Sequence, residues 1–322
     1  MKDYVFRSVF ADYLRSYISL RYSFGLKFSF QSDILRMFDV YVHDIGYNGL
    51  LTQELAIGFA TSNKNITSYE SSRRYSVVRN FSDYLVTFEP STPLLDPKAV
   101  YAERQRSPAY IYTEDELVLL LSLAKQIAPK NPFRGASLYA MVGLGAGTGL
   151  RISEVVGLDR ADIDLVSGVI TVRRTKFFKD RLVPVHPTVL AVLNEYVRLR
   201  DVKHPDPKSQ AFFLQQWGGR YSKHTLQTTY WNLTRLAGLR GDSGDGPTFH
   251  DLRHTFAVRR LAAWYREGKD VNAMLPLLAT YMGHAHYTDT AYYITATPEL
   301  MELAAQRARG SGRTSSDEEA TQ

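Results

Sequence analysis

Apolar residues recur at helical spacing through residues 1–90, and polar residues fill the positions between them. Over residues 3–22 the apolar positions fall on one helix face, and the pattern returns over 32–45, from Thr52, and over 68–88. Gly46 stands where the second of these helices would end. Four amphipathic helices in so short a stretch predict a small all-helical bundle. We therefore expect residues 1–90 to form one helical domain.

The helical pattern breaks over residues 91–112, where prolines and charged residues replace the periodic apolar positions, and we expect a linker there. Thr113, with Glu116 three residues later, has the spacing of a capping box and predicts the start of a second domain. We expect this domain to span 113–306 and the polar tail 307–322 to be disordered. Its further helices are predicted over 137–145, 188–200 and 223–237, and after Thr248.

The hydrophobic period becomes that of strands over residues 162–187, DIDLVSGVITVRRTKFFKDRLVPVHP. The segment contains runs of β-branched residues, and Ser167-Gly168 supplies a turn. We expect a small antiparallel sheet here, because no other part of the chain has a clear strand signal. The predicted fold class is therefore mainly α with a small antiparallel β-sheet.

Composition excludes several kinds of chemistry. The 322 residues include no cysteine, which rules out disulfides, thiolate metal sites and a cysteine nucleophile. A chain without disulfides fits a reducing compartment, and we expect a cytoplasmic protein. The first residues, MKDYVFRSVF, mix acids with apolar residues, unlike a signal peptide. The sequence contains no apolar run of about 18 residues, so we expect no membrane-spanning helix.

The charge pattern points weakly to nucleic acid. The formal net charge is +6 and the isoelectric point about 9.2. The positive excess lies beyond residue 90, and one dense cluster of cations comprises Arg173, Arg174, Lys176, Lys179 and Arg181. Such a cluster is usually a solvated face, but beside a phosphate group it becomes a binding surface for a polyanion.

Six polar residues in four short motifs carry the candidate chemistry. Arginine forks bind phosphate oxygens, lysine and histidine transfer protons, and a tyrosine hydroxyl can form a covalent link. Together these residue types suit a metal-free attack on a phosphodiester. The motifs are TGLRISE (148–154) with Arg151, TKFFKDRLVPV (175–185) with Lys176, HDLRHTFA (250–257) with His250 and Arg253, and MGHAHYTDTAYY (282–293) with His284 and Tyr293.

Local sequence indicates how some of these residues are held. The glycines before Arg151 allow a tight entry into a helix, which places this arginine at a helix N-terminus, where anions bind. Glu154, one turn later, either pairs with a basic neighbour and orients it or is solvated. Lys176 is expected at or near a hairpin turn, from which a lysine can reach into a cleft.

The histidines admit a second interpretation. His250 and Arg253 share one helix face, and His254 lies near it. The spacing of His250 and His254 also suits zinc, with His284 and His286 as further ligands. A hydrolytic zinc helix, however, carries a glutamate where this chain has Asp251. The alternative is that His254 lies in the core or behind the site residues.

In these motifs the chain resembles the tyrosine recombinase (phage integrase) family. TGLRISE is similar to the family's first arginine box, HDLRHTF to its H-x-x-R box, and GHAHYTDTAYY to its box with a tyrosine nine residues after the histidine. The resemblance covers residues 113–300. Residues 1–90 resemble the family's core-binding, SAM-like helical bundle by pattern and position alone. The fold implied is a C-shaped clamp around double-stranded DNA, formed by this bundle and an integrase-type catalytic domain.

The resemblance implies a role for each residue of the set. Arg151 and Arg253 would bind the scissile phosphate, and Lys176 would protonate the departing 5′-hydroxyl. His250 and His284 would position the phosphate or relay protons, and Tyr293 would attack to give a 3′-phosphotyrosyl link. Energy kept in that link would make rejoining independent of ATP, and we expect no cofactor and no metal. Lys179 remains a rival to Lys176, because Phe177 and Phe178 stand where the family often has glycine, and Tyr292 remains a rival to Tyr293.

Three functions compete on this resemblance. The first is a site-specific DNA recombinase serving integration, excision, resolution or transposition of a mobile element, active as a homo-tetramer or as a hetero-tetramer with related recombinases on DNA. The second is a type IB topoisomerase, which relaxes DNA as a monomer, and the third is a non-catalytic DNA-binding regulator. The apolar segment after Tyr293, with Leu300, Met301 and Leu303, favours the recombinase, because in the family a C-terminal helix docks on a neighbouring protomer.

Overall fold

The computed structural model describes residues 4–102, 109–173, 180–241, 244–284, 290, 293, 298 and 300–306. The chain divides into two compact units, residues 1–107 and 108–322. The predicted tail, 307–322, lies outside the described residues. No helix within the described ranges is long and apolar enough to cross a membrane.

The first unit is the predicted helical bundle. Its described helices are α1 (Ala11–Ser23), α2 (Ser29–Asp44), α3 (Gln53–Thr61) and α4 (Ser68–Leu85). The first helix begins at Ala11, later than the periodicity suggested. The reason is the buried carboxylate of Asp39, which accepts hydrogen bonds from the backbone N–H groups of Arg7 at 3.0 Å and Ser8 at 2.9 Å. These bonds hold the preceding segment in a non-helical conformation.

The core of the bundle extends into the predicted linker. Phe38, Phe59 and Phe81 are buried at its centre, and Leu95 packs against the same cluster. At the other end of the predicted linker, Tyr112 is buried in the core of the second unit. The stretch that belongs to neither core is therefore shorter than residues 91–112.

The second unit is mainly helical. Two of its helices begin after Thr113 and Thr248, as expected, and the first has the predicted capping box with Glu116. Its described helices are α5 (Glu114–Gln126), α6 (Pro132–Thr148), α7 (Ile152–Gly157), α8 (Pro187–Lys203), α9 (Lys223–Leu236), α10 (Phe249–Arg266) and α11 (Val271–Met282). The second of these starts at Pro132, five residues before the predicted start, because Pro132 occupies the first turn and Asn131 caps it.

The predicted antiparallel sheet is present in this unit. It has the order β1 (Ile163–Asp164), β2 (Val169–Val172) and β3 (Arg181–Pro184). The last two strands pair with Val172 opposite Arg181. Asp164 accepts hydrogen bonds from the backbone of Val166 and Ser167 and so closes the first turn. The connection between β2 and β3, residues 174–179, lies outside the described residues.

Part of the segment after Tyr293 packs against its own chain. Residues 300–306 are helical, and the side chain of Leu300 is fully buried in a cluster of the same chain that also contains Leu261, Met282 and Tyr293. Leu303 packs against the same cluster, whereas Met301 is 49% exposed. Leu300 is therefore covered by its own chain, and docking of this apolar segment on a neighbouring protomer stays a prediction.

Candidate active site

The helix α6 ends at a glycine in the left-handed conformation, and this turn determines where Arg151 lies. Gly149 has φ +64°, and a Cβ there would lie 2.8 Å from the ring of Phe256. Both the backbone conformation and the space therefore require glycine. Two residues later Arg151 is the N-cap of α7, as predicted, and its backbone N–H donates to Glu154 at 2.9 Å.

The helix α10 presents one polar face with His250, Arg253 and His254. Arg253 is only 1% exposed. Its Nη1 donates to the Gly149 carbonyl and its Nη2 to the Met282 carbonyl, both at 2.7 Å. Burial, and next the charge of Arg151, lower the pKa of Arg253 to about 10, so the guanidinium remains protonated at neutral pH.

At the C-terminal end of α11, three arginines donate hydrogen bonds to three consecutive backbone carbonyls. Tyr281 accepts from Arg181 Nε at 2.9 Å, Met282 from Arg253 at 2.7 Å, and Gly283 from Arg151 Nη2 at 3.1 Å. The last carbonyls of a helix have no partner within the helix and lie at the negative end of its dipole, which favours cations there. His284 follows Gly283 directly, so this helix end brings the motif of Arg151 next to the motif of His284.

Glu154 connects two of these arginines. It accepts from Arg181 in a two-pronged ion pair at 3.0 and 2.9 Å, and from Arg151 Nη1 at 3.1 Å. Burial raises the pKa of Glu154, but the hydrogen bonds and charge of Arg181 outweigh burial, so the pKa is lowered on balance. Of the two alternatives open for Glu154, pairing with a basic neighbour or solvation, the structure shows the pairing. In the sequence Arg181 stands out only as a member of the cation cluster, because nothing local indicates its contacts with α7 and α11.

The side chain of Tyr293 lies among histidines and is only 3% exposed. Its hydroxyl is 3.1 Å from Nδ1 of His254. The ring of His284 stacks on it, with centroids 6.2 Å apart and planes inclined by 21°. Nδ1 of His284 is itself 2.7 Å from the hydroxyl of Thr290. The structure thus brings His254 to the tyrosine hydroxyl, a contact that motif analysis had not predicted.

His250 stands at the exposed edge of this group. Its ring packs edge-on against His254, with centroids 4.7 Å apart. The side chain is exposed, yet the protein around the ring withholds enough water to lower its pKa, and the charges of His254 and Arg253 lower the pKa further. His250 is therefore neutral at pH 7, a form in which one ring nitrogen donates and the other accepts.

Comparison with known proteins gives a consistent result. The model of the phage integrase family matches residues 111–299. The chain is 42% identical over 303 residues to the putative integrase/recombinase y4rE of Sinorhizobium fredii, covering 94% of this chain and 97% of that protein. This chain belongs to the phage integrase family. It is a tyrosine recombinase, an enzyme that cleaves and rejoins DNA.

Two further similarities extend the comparison. This recombinase is 29% identical over 232 residues to the tyrosine recombinase XerC of Chlamydia caviae, covering 71% of this chain and 68% of that protein. The solved structure of the Tn1549 transposon integrase in complex with transposon right-end DNA aligns with a TM-score of 0.66 at 18% identity, covering 94% of this chain and 99% of that one. At this identity the structural likeness supports the fold.

Some predictions for the recombinase fall outside the described residues. Lys176 and its rival Lys179 lie there, as do Tyr292 and His286, so the geometry bears on none of them. Of the predicted cation cluster, the two described members both form ion pairs: Arg181 with Glu154, and Arg173 with Asp162 at 2.5 Å. Within the described ranges, no three histidine or acidic side chains are grouped as a metal site would require.

Proposed function

We propose that this recombinase cuts DNA by attack of Tyr293 on a phosphate held by Arg151 and Arg253, leaving a 3′-phosphotyrosyl link. The observation that carries the proposal is the shared anchor of the two arginines. Their guanidiniums bind consecutive carbonyls at the end of α11, next to the segment that holds His284 and Tyr293. Residues from distant parts of the sequence therefore meet in the combination that phosphodiester attack requires.

The arginines supply electrostatic stabilisation that is organised before substrate binds. A guanidinium has five N–H donors, so the carbonyl contacts leave donors for phosphate oxygens. Glu154 and the helix end fix the orientation of Arg151, whose side chain is 34% exposed. Fixed donors need no reorganisation as charge grows on the phosphate in the transition state. The arginine pair therefore favours the pentacoordinate transition state over the ground state.

Proton transfer completes the proposed reaction. Lys176 is the proposed acid for the 5′-oxygen that leaves, and His250 and His284 hold or relay protons at the phosphate. The freed 5′-hydroxyl of a second strand then attacks the phosphotyrosyl link, which rejoins DNA in a new combination. Because the link conserves the energy of the broken bond, neither ATP nor a metal ion enters the balance.

We further propose that the active assembly is a tetramer on double-stranded DNA, composed of copies of this chain or of this chain with related recombinases. Strand exchange needs two duplexes and four cuts, which supports four catalytic units. The expected cytoplasmic location also stays a prediction.

The function is tested with a suicide substrate whose cleaved fragment diffuses away and so prevents rejoining. We expect a covalent protein–DNA adduct that survives denaturation and forms equally well in excess EDTA. A lack of any adduct on DNA that the protein binds would favour the regulator. Exchange of strands between two labelled duplexes supports the recombinase, whereas relaxation of supercoiled DNA without exchange would support the topoisomerase.

A further inference from the structure

We infer that His254 is the general base that accepts the hydroxyl proton of Tyr293 as the tyrosine attacks, an inference that rests on the function proposed above. Nδ1 of His254 lies 3.1 Å from the tyrosine hydroxyl, which is within reach of direct proton transfer. The two ring centroids are 5.4 Å apart, with the planes inclined by 58°. The sequence motifs give His254 no role in the reaction, whereas in the structure it lies within hydrogen-bond distance of the tyrosine hydroxyl.

The surroundings of His254 favour the form that accepts a proton. The side chain is half-buried on α10, where burial lowers its pKa; Asp251 raises that pKa and Arg253 lowers it. The ring of His250 packs edge-on against it, and from the neighbouring segment His284 stacks on the tyrosine. A histidine with a lowered pKa is neutral at pH 7. With the ring hydrogen on Nε2, the lone pair of Nδ1 faces the phenol.

The proton and the bonds balance through the cycle. As the tyrosine oxygen forms its bond to phosphorus, its proton passes to Nδ1 of His254, and the bond from phosphorus to the 5′-oxygen breaks. The departing oxygen takes a proton from the acid proposed above, Lys176. In rejoining, an incoming 5′-hydroxyl gives its proton to the now neutral Lys176 as its oxygen displaces the tyrosine, and the protonated His254 returns its proton to the phenolate. One histidine therefore serves as base in cleavage and as acid in rejoining.

The inference is tested with His254→Asn, in the full-length chain. The asparagine Oδ1 can take the place of Nδ1 as hydrogen-bond acceptor but cannot hold a transferred proton. We expect adduct formation to slow by about 10²-fold, the lower end of general-base contributions. The variant is then combined with difluorotyrosine at position 293, a phenol more acidic than tyrosine. A nucleophile that loses its proton easily needs the base less, so the defect should shrink by about tenfold.

The companion variant is His284→Asn, also with and without difluorotyrosine. If difluorotyrosine restores adduct formation in His254→Asn but not in His284→Asn, the result supports the inference. Recovery in His284→Asn alone assigns the base to His284 and overturns it. The inference is also overturned if His254→Asn slows adduct formation equally with tyrosine and with difluorotyrosine at position 293. A His254→Asn variant that forms the adduct as fast as wild type would overturn it too. If the wild-type chain forms no adduct at all, the proposed cleavage reaction is contradicted. That outcome differs from the ones above, because it refutes the reaction and not only the choice of base.

If His254→Asn does not fold, the pH dependence of adduct formation by the wild-type chain still tests the inference. With a neutral histidine as base, the rate of adduct formation levels off above the pKa of His254, which lies below its ordinary value. Without a protein base the phenol must ionise before it attacks, and the rate should rise about tenfold per pH unit towards the phenol pKa near 10. A plateau through neutral pH supports the inference, and a continuous rise contradicts it.

Discussion

Arg151 and Arg253 bind neighbouring carbonyls of one helix end but differ in burial. The side chain of Arg151 is 34% exposed, whereas Arg253 is 1% exposed and donates to two carbonyls. We expect Arg253→Ala to lower the free energy of unfolding by about 2 kcal/mol or more, because buried carbonyls lose their partners. Arg151→Ala should change stability less and slow cleavage by about 10²–10³-fold, the effect of losing one transition-state donor.

Thermal unfolding and suicide-substrate cleavage, measured on the same preparations, separate the two effects. DNA affinity should change modestly in both variants, because a protein on duplex DNA contacts many phosphates. An Arg151→Ala variant that lost affinity and cleavage in proportion would mark Arg151 as a general backbone contact, contrary to its proposed role.

Lys176 lies outside the described residues, so its proposed role is tested through the chemistry of the leaving group. If Lys176 protonates the 5′-oxygen, a substrate with a 5′-bridging phosphorothiolate should not need it, because a thiolate leaves without a proton. We expect Lys176→Ala to cleave ordinary DNA very slowly and the phosphorothiolate nearly as fast as wild type. Arg151→Ala should show no selective recovery. The matched control is Lys179→Ala, and selective recovery there instead would identify Lys179 as the acid.

The elements of the second unit are held together at the site by buried charge. Arg181, at the start of β3, binds Glu154 of α7 and the Tyr281 carbonyl of α11. The pKa of Glu154 is lowered from 4.5, so its ionisation stabilises the fold above that value. This stability is lost as the pH falls through the lowered folded-state pKa.

We therefore expect Glu154→Gln to be less stable than wild type at pH 7, because the amide leaves Arg181 without its carboxylate. Below the folded-state pKa of Glu154 the difference should narrow, since the wild-type carboxyl is then protonated too. Melting temperatures of the two proteins between pH 7 and pH 3 measure this. A difference that stayed constant over the whole range would show that the charge of Glu154 contributes nothing.

The short helical segment at 300–306 offers a matched pair of variants. Leu300 is fully buried and Met301 is 49% exposed. We expect Leu300→Ala to cost about 3 kcal/mol of unfolding free energy, as for other buried leucines. Met301→Ala should cost little, because its side chain already contacts water. Chemical denaturation of both variants provides the comparison, and equal effects would mean that the segment does not pack as the structure has it.

Local signals explain which elements could be predicted from sequence. The capping box at Thr113, the helix start after Thr248 and the strand-forming run around Val169–Val172 depend on neighbours in the chain, and the sequence predicted all three. The late start of α1 depends on Asp39, which is about thirty residues away in sequence, so periodicity could not reveal it. The same distinction applies to the proposed site, where short motifs indicate candidate residues but not the partners that they contact.

For the site, order and spacing within motifs selected Arg151, Arg253, His284 and Tyr293. The contacts of Arg181 could not be predicted, since they require the end of α11 to pack beside β3 and α7. His254 was visible only as a residue four positions after His250. Its place at the tyrosine hydroxyl depends on the path of the chain between His284 and Tyr293, which the spacing does not encode.

At the scale of the whole molecule, the second unit brings the proposed site residues together from segments far apart in sequence. Arg151 follows α6, Arg253 belongs to α10, and Tyr293 follows α11. The family assignment rests on a match over residues 111–299, which contains all of them. The proposed reaction would therefore depend on the folded second unit, because the three proposed residues come together only through its fold.

The central claim is that Tyr293 is the nucleophile. The most direct measurement is peptide mapping by mass spectrometry of the adduct trapped on a suicide substrate, with Tyr293→Phe and Tyr292→Phe as paired variants. We expect the nucleotide remnant on Tyr293, no adduct from Tyr293→Phe despite normal DNA binding, and a normal adduct from Tyr292→Phe. A remnant on Tyr292, with an intact adduct from Tyr293→Phe, would contradict the account.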